Sequence, residues 1–325
     1  MRKSRKDTFR ERSEIEMKVI TLTLNPAFDV HCQCDGFEVG KESLAKITSR
    51  QAAGKGVNIS RALCSLDTEN LAFCLLGEEN AEEFEKMLSN DKVEFLSLKT
   101  SGRIRENYTL HSQNRPETRI SFSGFDFKKE KLSMIEEMIL PLVEKGTVVT
   151  ITGRLPQNLS AEDLKPTLDK FKAKGALLVI DSKSYSLSDL IINKPWLIKP
   201  NEEEIAEYLH KDAKSLEAAT EGAKSLHAMG IENVMISLGE KGALLCCDNG
   251  VYLADAPKVN VVSTVGAGDS SLAGFIWAKL KKQSDTAALT MAVSCGSAAC
   301  ESEGSTPPDK ELIKKLINEI ESKTL

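Results

Sequence analysis

The chain has 325 residues, 41% of them hydrophobic, and a formal net charge of −5 at pH 7. That length is enough to bury a large core, in one big α/β domain or two ordinary ones, and no collagen-like repeat or low-complexity tract interrupts it. The basic residues are scattered, so there is no extended positive field to draw in nucleic acid, and any anion must be bound by a local pocket.

Residues 1–17 mix Arg2, Lys3, Arg5, Lys6, Arg10 and Arg12 with Asp7, Glu11, Glu14 and Glu16, and are expected to form a flexible extension before Met17. No apolar stretch is long enough for a signal or a membrane segment, so a cytoplasmic protein is expected. The eight cysteines contain no C-x-x-C pair and sit in apolar runs, which predicts buried thiols in a reducing compartment. Cys32 and Cys34 share one face of a predicted strand, but no His or Cys partner at zinc spacing follows them.

In chain order, Val19 to Leu24 reads as a buried strand ending at Asn25-Pro26, followed by Ala27-Phe28-Asp29. From His31 to Ser49, short alternating segments broken by Gly36 and Gly40 predict a small separate sheet. The stretch from Gln51 to Asn58 is expected to enter a helix with Val57, Ile59, Ala62, Leu63 and Leu66 on its apolar side. Its Gly54-Lys55-Gly56 turn is no Walker A loop, because it lacks the earlier glycine and the Ser/Thr after the lysine.

Next come a strand over Leu71–Leu76, a helix over Ala81–Leu88 and a strand near Val93–Leu96. Arg105–His111 and Thr118–Phe122 are predicted to pair as a hairpin across Asn114-Arg115-Pro116 and to complete the small sheet. Beyond Lys128 the pattern alternates. Strands are expected at Thr147–Thr152, Ala176–Ile180, Trp196–Ile198 and Asn233–Ser237, and helices at Ala161–Ala173, Glu202–Leu209 and Leu216–Met229. This is the pattern of a parallel sheet covered by helices on both faces, whose ligands gather at the carboxyl ends of the strands. Those ends carry Asn25, Asp29, Thr152, Arg154, Asp181, Lys199, Asn201, Glu204, Ser237 and Gly239. Asn201 with Glu204 fits a helix-capping pair as well as it fits a metal or nucleotide contact.

The stretch from Ser263 to Phe275 concentrates the chemistry. Gly266, Ala267 and Gly268 form a turn of small residues whose amides are free to approach an anion, and a helix opening there adds its positive dipole end. Asp269 follows at a distance suited to taking a proton from a hydroxyl that attacks phosphorus. The alternative for this segment is an ordinary glycine turn capped by Asp269.

Assembled, these residues resemble the ribokinase-like (PfkB) carbohydrate kinases, and within them the hexose-phosphate kinases that include 1-phosphofructokinase and tagatose-6-phosphate kinase. The resemblance spans about residues 18–322. It rests on Thr23-Leu24-Asn25-Pro26-Ala27-Phe28-Asp29, Gly54-Lys55-Gly56-Val57-Asn58, Ile104-Arg105-Glu106-Asn107, Gly153-Arg154-Leu155-Pro156, Lys199-Pro200-Asn201 with Glu204, Ser237-Leu238-Gly239, and Ser263 to Asp269, in that order.

The resemblance implies a three-layer α/β/α domain over residues 18–325 with a β-sheet lid at about 28–50 and 103–124, often dimerised through the lids. The implied reaction moves the γ-phosphate of ATP, with Mg²⁺, to a sugar phosphate. Carried over by position, Asp269 is the implied base and the amides of Gly266, Ala267 and Gly268 the anion hole. Asp29, Gly54, Lys55 and Asn58 are implied at the sugar, with Lys41, Arg105 and Arg154 at its phosphate. Asn201, Ser237, Gly239 and Thr264, with Gly266 and Gly268, are implied at the nucleotide, and Glu204 at the metal.

The sequence departs from the usual pattern at Ala53, Arg119, Ser121 and, above all, Arg154, which stands where serine is usual. That arginine either grips phosphate as a fork or fills part of the pocket. The expected acceptor is fructose 1-phosphate, with tagatose 6-phosphate and fructose 6-phosphate as alternatives. A non-catalytic sugar-phosphate sensor is a remote alternative. A nicotinamide dehydrogenase is disfavoured, because no G-x-G-x-x-G follows the first strand.

Overall fold

The computed structural model describes residues 19–34, 36–38, 40–112, 117–211 and 213–325. The expected extension over residues 1–17 and the turn at Asn114-Arg115-Pro116 lie outside the described residues.

The strands in chain order are β1 (Val19–Thr23), β2 (Ala27–Cys34), β3 (Ala45–Ala53), β4 (Asn70–Gly77), β5 (Phe95–Thr100), β6 (Arg105–His111), β7 (Thr118–Ile120), β8 (Val148–Thr152), β9 (Leu177–Asp181), β10 (Leu197–Ile198), β11 (Asn233–Ser237), β12 (Ala243–Cys247), β13 (Gly250–Ala254) and β14 (Ser322–Thr324). The α-helices are α1 (Lys55–Ser65), α2 (Ala81–Asn90), α3 (Leu132–Ile139), α4 (Ala161–Ala173), α5 (Leu187–Asn193), α6 (Glu202–Leu209), α7 (Leu216–Ala228), α8 (Ala267–Leu280), α9 (Asp285–Cys300) and α10 (Lys310–Ile317).

A ten-stranded sheet runs in the order β14-β13-β12-β11-β10-β9-β8-β1-β4-β5. From β5 to β11 neighbouring strands are parallel, and β12, β13 and β14 join antiparallel. The central strands are hydrophobic on both sides because each side is covered. Ile20, Leu22, Val149 and Ile151 face one core with Phe84 of α2 and Leu168 of α4. Val19, Val148, Val179 and Leu197 face the other, with Leu272 and Phe275 of α8 and Leu289 of α9. The three antiparallel edge strands were not legible in the alternating pattern.

The second sheet has the order β3-β2-β6-β7, with β2 parallel to β6 and antiparallel to β3. The expected pairing of β6 with β7 is observed, Thr109 opposite Arg119. Strand periodicity and register put Asp29, His31 and Gln51 on one face with Asn107 and His111, while Phe28, Val30 and Cys32 turn into the core.

Two boundaries differ from expectation. Gln51 to Ala53 finish β3 instead of leading into a helix, and the turn is delayed to Gly54, whose φ of 140° suits glycine. The strand expected from Val93 begins at Phe95, because Lys92 turns left-handed and the Val93 N–H returns to the Leu88 carbonyl, closing α2.

All eight cysteines are free and buried or half-buried, and no cluster of three or more potential metal-ligating side chains occurs among the described residues. No helix among them is long and apolar enough to cross a membrane.

Candidate active site

Two helices open toward the carboxyl ends of the parallel strands. Helix α1 approaches β1 so closely that a Cβ on Gly56 would lie 2.4 Å from Thr23 Oγ1, and one on Gly54 would lie 2.6 Å from Thr23 Cγ2. Only glycine permits that approach, and it delivers Lys55 and Asn58 to the strand ends. Helix α8 begins after Gly266, which is left-handed at φ 76°. Its first turn therefore presents uncapped amides, since no side chain caps them.

Asp269 lies in that first turn and is buried, yet it does not cap the helix. Its Oδ2 instead accepts a hydrogen bond of 2.9 Å from Asn58 Nδ2. Burial pushes its carboxyl up to about 6, against the pull of the Lys55 ammonium and the Asn58 hydrogen bond. The alternative in which Asp269 merely caps a glycine turn does not match this geometry.

Beneath the turn is a charge cluster. Lys55 Nζ donates to Asp181 Oδ1 at 3.0 Å, and Lys199 Nζ stands 3.6 Å from Asp181 Oδ2. Burial opposes ionisation of Asp181, but the two ammoniums outweigh it and hold the carboxyl low. Burial likewise works against the Lys55 ammonium, yet Asp181 and Asp269 raise its pKa. Lys199 Nζ is 3.2 Å from where a Cβ on Gly268 would stand, so a buried cation lies directly against the turn. Asp181 and Lys199 take no individual role from residue order. Asp181 is marked only by its position at the end of β9, and Lys199 by its place in the Lys199-Pro200-Asn201 motif after β10.

On the far side of the turn is a cleft of about 1010 Å³ lined by Ser237, Gly239, Thr264, Ala267, Gly268 and Cys300. Asn201 caps α6 and makes a strand bridge to Ser237. Glu204 completes the capping box, its Oε2 accepting from Asn201 N at 3.1 Å, and Lys183 lies 3.8 Å from its other oxygen. The local capping reading is thus realised, and Glu204 still offers a carboxylate near this cluster, in keeping with the one or two carboxylates with which Mg²⁺ joins nucleotide phosphates.

The remaining expected residues belong to the small sheet and its surroundings. Asp29 accepts from Asn107 Nδ2 at 3.1 Å. The Arg105 guanidinium is spent on three carbonyls, Asn25 at 3.2 Å, Pro26 at 3.4 Å and Phe122 at 3.0 Å. Burial, with Arg154 nearby, lowers its pKa. Arg154 is exposed at the end of β8, and the next residue, Leu155, is tied through its carbonyl to Asn25 Nδ2 at 3.3 Å. Lys41 is exposed on the β2–β3 connection, where it pairs with Glu38 at 2.6 Å and not with the other expected residues.

A doubly wound sheet that gathers a buried carboxylate, two lysines and a glycine turn beside a large cleft suits phosphoryl transfer, the chemistry of the small-molecule kinases. Phosphofructokinase-2 from Escherichia coli has the same fold, with a TM-score of 0.88 at 23% identity over 93% of this chain and 99% of that one. The chain belongs to the pfkB family of carbohydrate kinases, whose model matches residues 23–312. It is 30% identical to the 1-phosphofructokinase of Vibrio cholerae over 95% of this chain and 97% of that one. It is 28% identical to the tagatose-6-phosphate kinase of Staphylococcus epidermidis over 86% of this chain and 90% of that one.

Proposed function

We propose that the chain transfers the γ-phosphoryl group of ATP to a phosphorylated ketohexose, fructose 1-phosphate foremost. The observation that carries this reading is the buried Asp269 held by Asn58 in the first turn of α8. A sugar hydroxyl forms a bond to the γ-phosphorus as the β–γ bridging bond breaks, its proton passes to the Asp269 carboxylate, and ADP leaves with the bridging oxygen. The amides of Gly266, Ala267 and Gly268, with Lys199 beneath, meet the charge on the moving phosphoryl group.

The cleft lined by Ser237, Gly239 and Thr264 holds the nucleotide, with Asn201 beside it. Glu204 would hold Mg²⁺ from the protein side, and the ion when bound would supply neutralisation of the phosphate charge. Asp29 and Asn58 orient the sugar, with Lys55 and Gly54 shaping the floor below it. The protein works in the cytoplasm in this reading.

The two arginines divide the labour at the sugar's own phosphate. Arg105 fixes the Asn25–Pro26 turn through its carbonyl contacts, and Arg154, which no described residue ties down, supplies the free fork. Lys41 reaches the same phosphate only on leaving Glu38, its partner on the lid connection.

Purified chain supplied with ATP, Mg²⁺ and fructose 1-phosphate is expected to release ADP and form a bisphosphate in equal amounts. Absence of sugar-dependent ADP release would leave the sensor reading standing. Replacement of Arg154 by Ser should raise KM for the sugar phosphate roughly tenfold or more and leave KM for ATP nearly unchanged, as the loss of a charged hydrogen-bonded contact implies. Fructose 1-phosphate, fructose 6-phosphate and tagatose 6-phosphate compared side by side give the ranking. An unchanged ranking and unchanged KM in Arg154→Ser would remove this arginine from the phosphate grip.

The lid also leaves Ile47, Ile120 and Phe122 exposed, at 58%, 42% and 50%. In our reading these apolar groups are covered by a second lid in a homodimer. Sedimentation of wild type against Ile47→Lys checks this, with dissociation of the variant expected.

A further inference from the structure

The sugar-facing strand and the glycine turn are joined by a two-residue wedge. His31 follows Asp29 on the same face of β2 and is buried, its Nδ1 2.9 Å from His111 Nε2 with the two rings stacked 5.3 Å apart. Gln51 on β3 lies opposite Asp29. Both side chains border Gly304, since a Cβ there would lie 3.3 Å from His31 Nε2 and 3.4 Å from Gln51 Nε2. Gly304 is left-handed at φ 59°, which leaves it little room to be anything else. The next residue, Ser305, is buried, donates to Gln51 Oε1 at 3.4 Å, and packs its Cα 3.3 Å from where a Cβ on Gly266 would stand. One side of the wedge therefore touches the strands that carry Asp29, and the other touches the residue that opens α8.

We propose that His31 is a positioning residue: held by His111, it sets the glycine turn through Gly304 and Ser305, so that sugar phosphate held at Asp29 pre-forms the anion hole. This rests on the function proposed above. Packed interiors transmit a displacement instead of absorbing it, and the turn's amides must be placed within a fraction of an ångström to act on the transferring group. His31 itself reaches neither reacting atom. Its effect passes through Gly304 and Ser305, the latter packed beside Gly266.

The test uses the full chain, a non-hydrolysable ATP analogue and fructose 1-phosphate. In wild type, saturating sugar phosphate should tighten analogue binding roughly 5-fold or more, a typical coupling between two sites. In His31→Ala each ligand should bind alone as in wild type, the tightening should vanish, and kcat should fall on the order of 10-fold to 100-fold. His31→Gln, which can still bond His111 and fill the space against Gly304, should recover most of both. Gly304→Ala should lower kcat in the same way, and thermal unfolding of each variant separates this from loss of the fold. Retained tightening in His31→Ala, or no tightening in wild type, overturns the proposal while leaving the functional reading intact. A wild type that neither binds nor turns over sugar phosphate overturns both.

Discussion

Replacement of Asp269 by Asn is expected to reduce turnover by roughly 10²- to 10⁴-fold while nucleotide affinity changes little. The substitution keeps shape and the contact with Asn58 but removes the only group in the first turn of α8 able to accept the hydroxyl proton. The native carboxyl titrates at about 6, raised chiefly by burial. The base is therefore ionised at neutral pH, and activity should climb as pH rises through about 6. The sugar phosphate titrates in the same range, near 6. The carboxylate's share is thus the part of the low-pH limb present in wild type and missing from the residual activity of Asp269→Asn.

The same shift makes a claim about stability. A carboxyl whose folded pKa lies above its unfolded value of 3.8 weakens the fold when ionised, by on the order of 3 kcal/mol from the difference of about two units. That cost is absent below pH 4 and fully present above about 6. Asp269→Asn should accordingly turn over far more slowly yet raise Tm at pH 7.5, with the gain shrinking toward pH 4. A variant with near-normal turnover, or one less stable than wild type at pH 7.5, would remove Asp269 from the role assigned to it.

Lys199→Met should lower turnover by about 10²-fold, the loss seen when one preorganised charge-stabilising group is withdrawn, with KM for the sugar phosphate close to wild type. The ammonium lies against Gly268 and 3.6 Å from Asp181, which in the proposed mechanism sets it beside the phosphoryl path and away from the sugar. Methionine preserves the stem and removes the charge. Asp181 keeps its 3.0 Å contact with Lys55 but loses the Lys199 ammonium, one of the two that hold its carboxyl low. A depressed carboxyl stabilises the fold above its unfolded pKa and loses that contribution as pH falls through its folded pKa. The variant should therefore show a lower Tm at neutral pH and acid unfolding at a higher pH than wild type. Steady-state kinetics and thermal melts between pH 4 and 8 check both parts, and an unchanged kcat would show that the cation under the turn is only structural.

Much of this arrangement was legible from residue order. Buried strands followed by amphipathic stretches announced the parallel sheet, and the glycines at 54, 56, 266 and 268 marked the helix openings, because positive φ and close backbone approach leave few other choices. The capping pair Asn201 and Glu204 was also readable, three residues apart at the head of α6. Edge strands β12 to β14 were not, since nothing in a short apolar run such as β12 or β13 says which neighbour it pairs with or in which direction, and β14 is only the polar triplet Ser322-Lys323-Thr324.

Residue order carries the family, the succession of elements and the chemical types at the strand ends, because these depend on local periodicity and on motifs that each occupy a few consecutive residues. Which of those groups meet follows from the folded chain. It placed Asn58 on Asp269 across 211 residues, Lys55 and Lys199 on one buried carboxylate, and Arg105 on three backbone carbonyls. It also brought His31 against Gly304 and Ser305 against Gly266. Such contacts are fixed by how sheet twist and helix packing bring distant segments together, and the free energy that selects them comes from burying the two faces of the sheet and not from the site residues themselves.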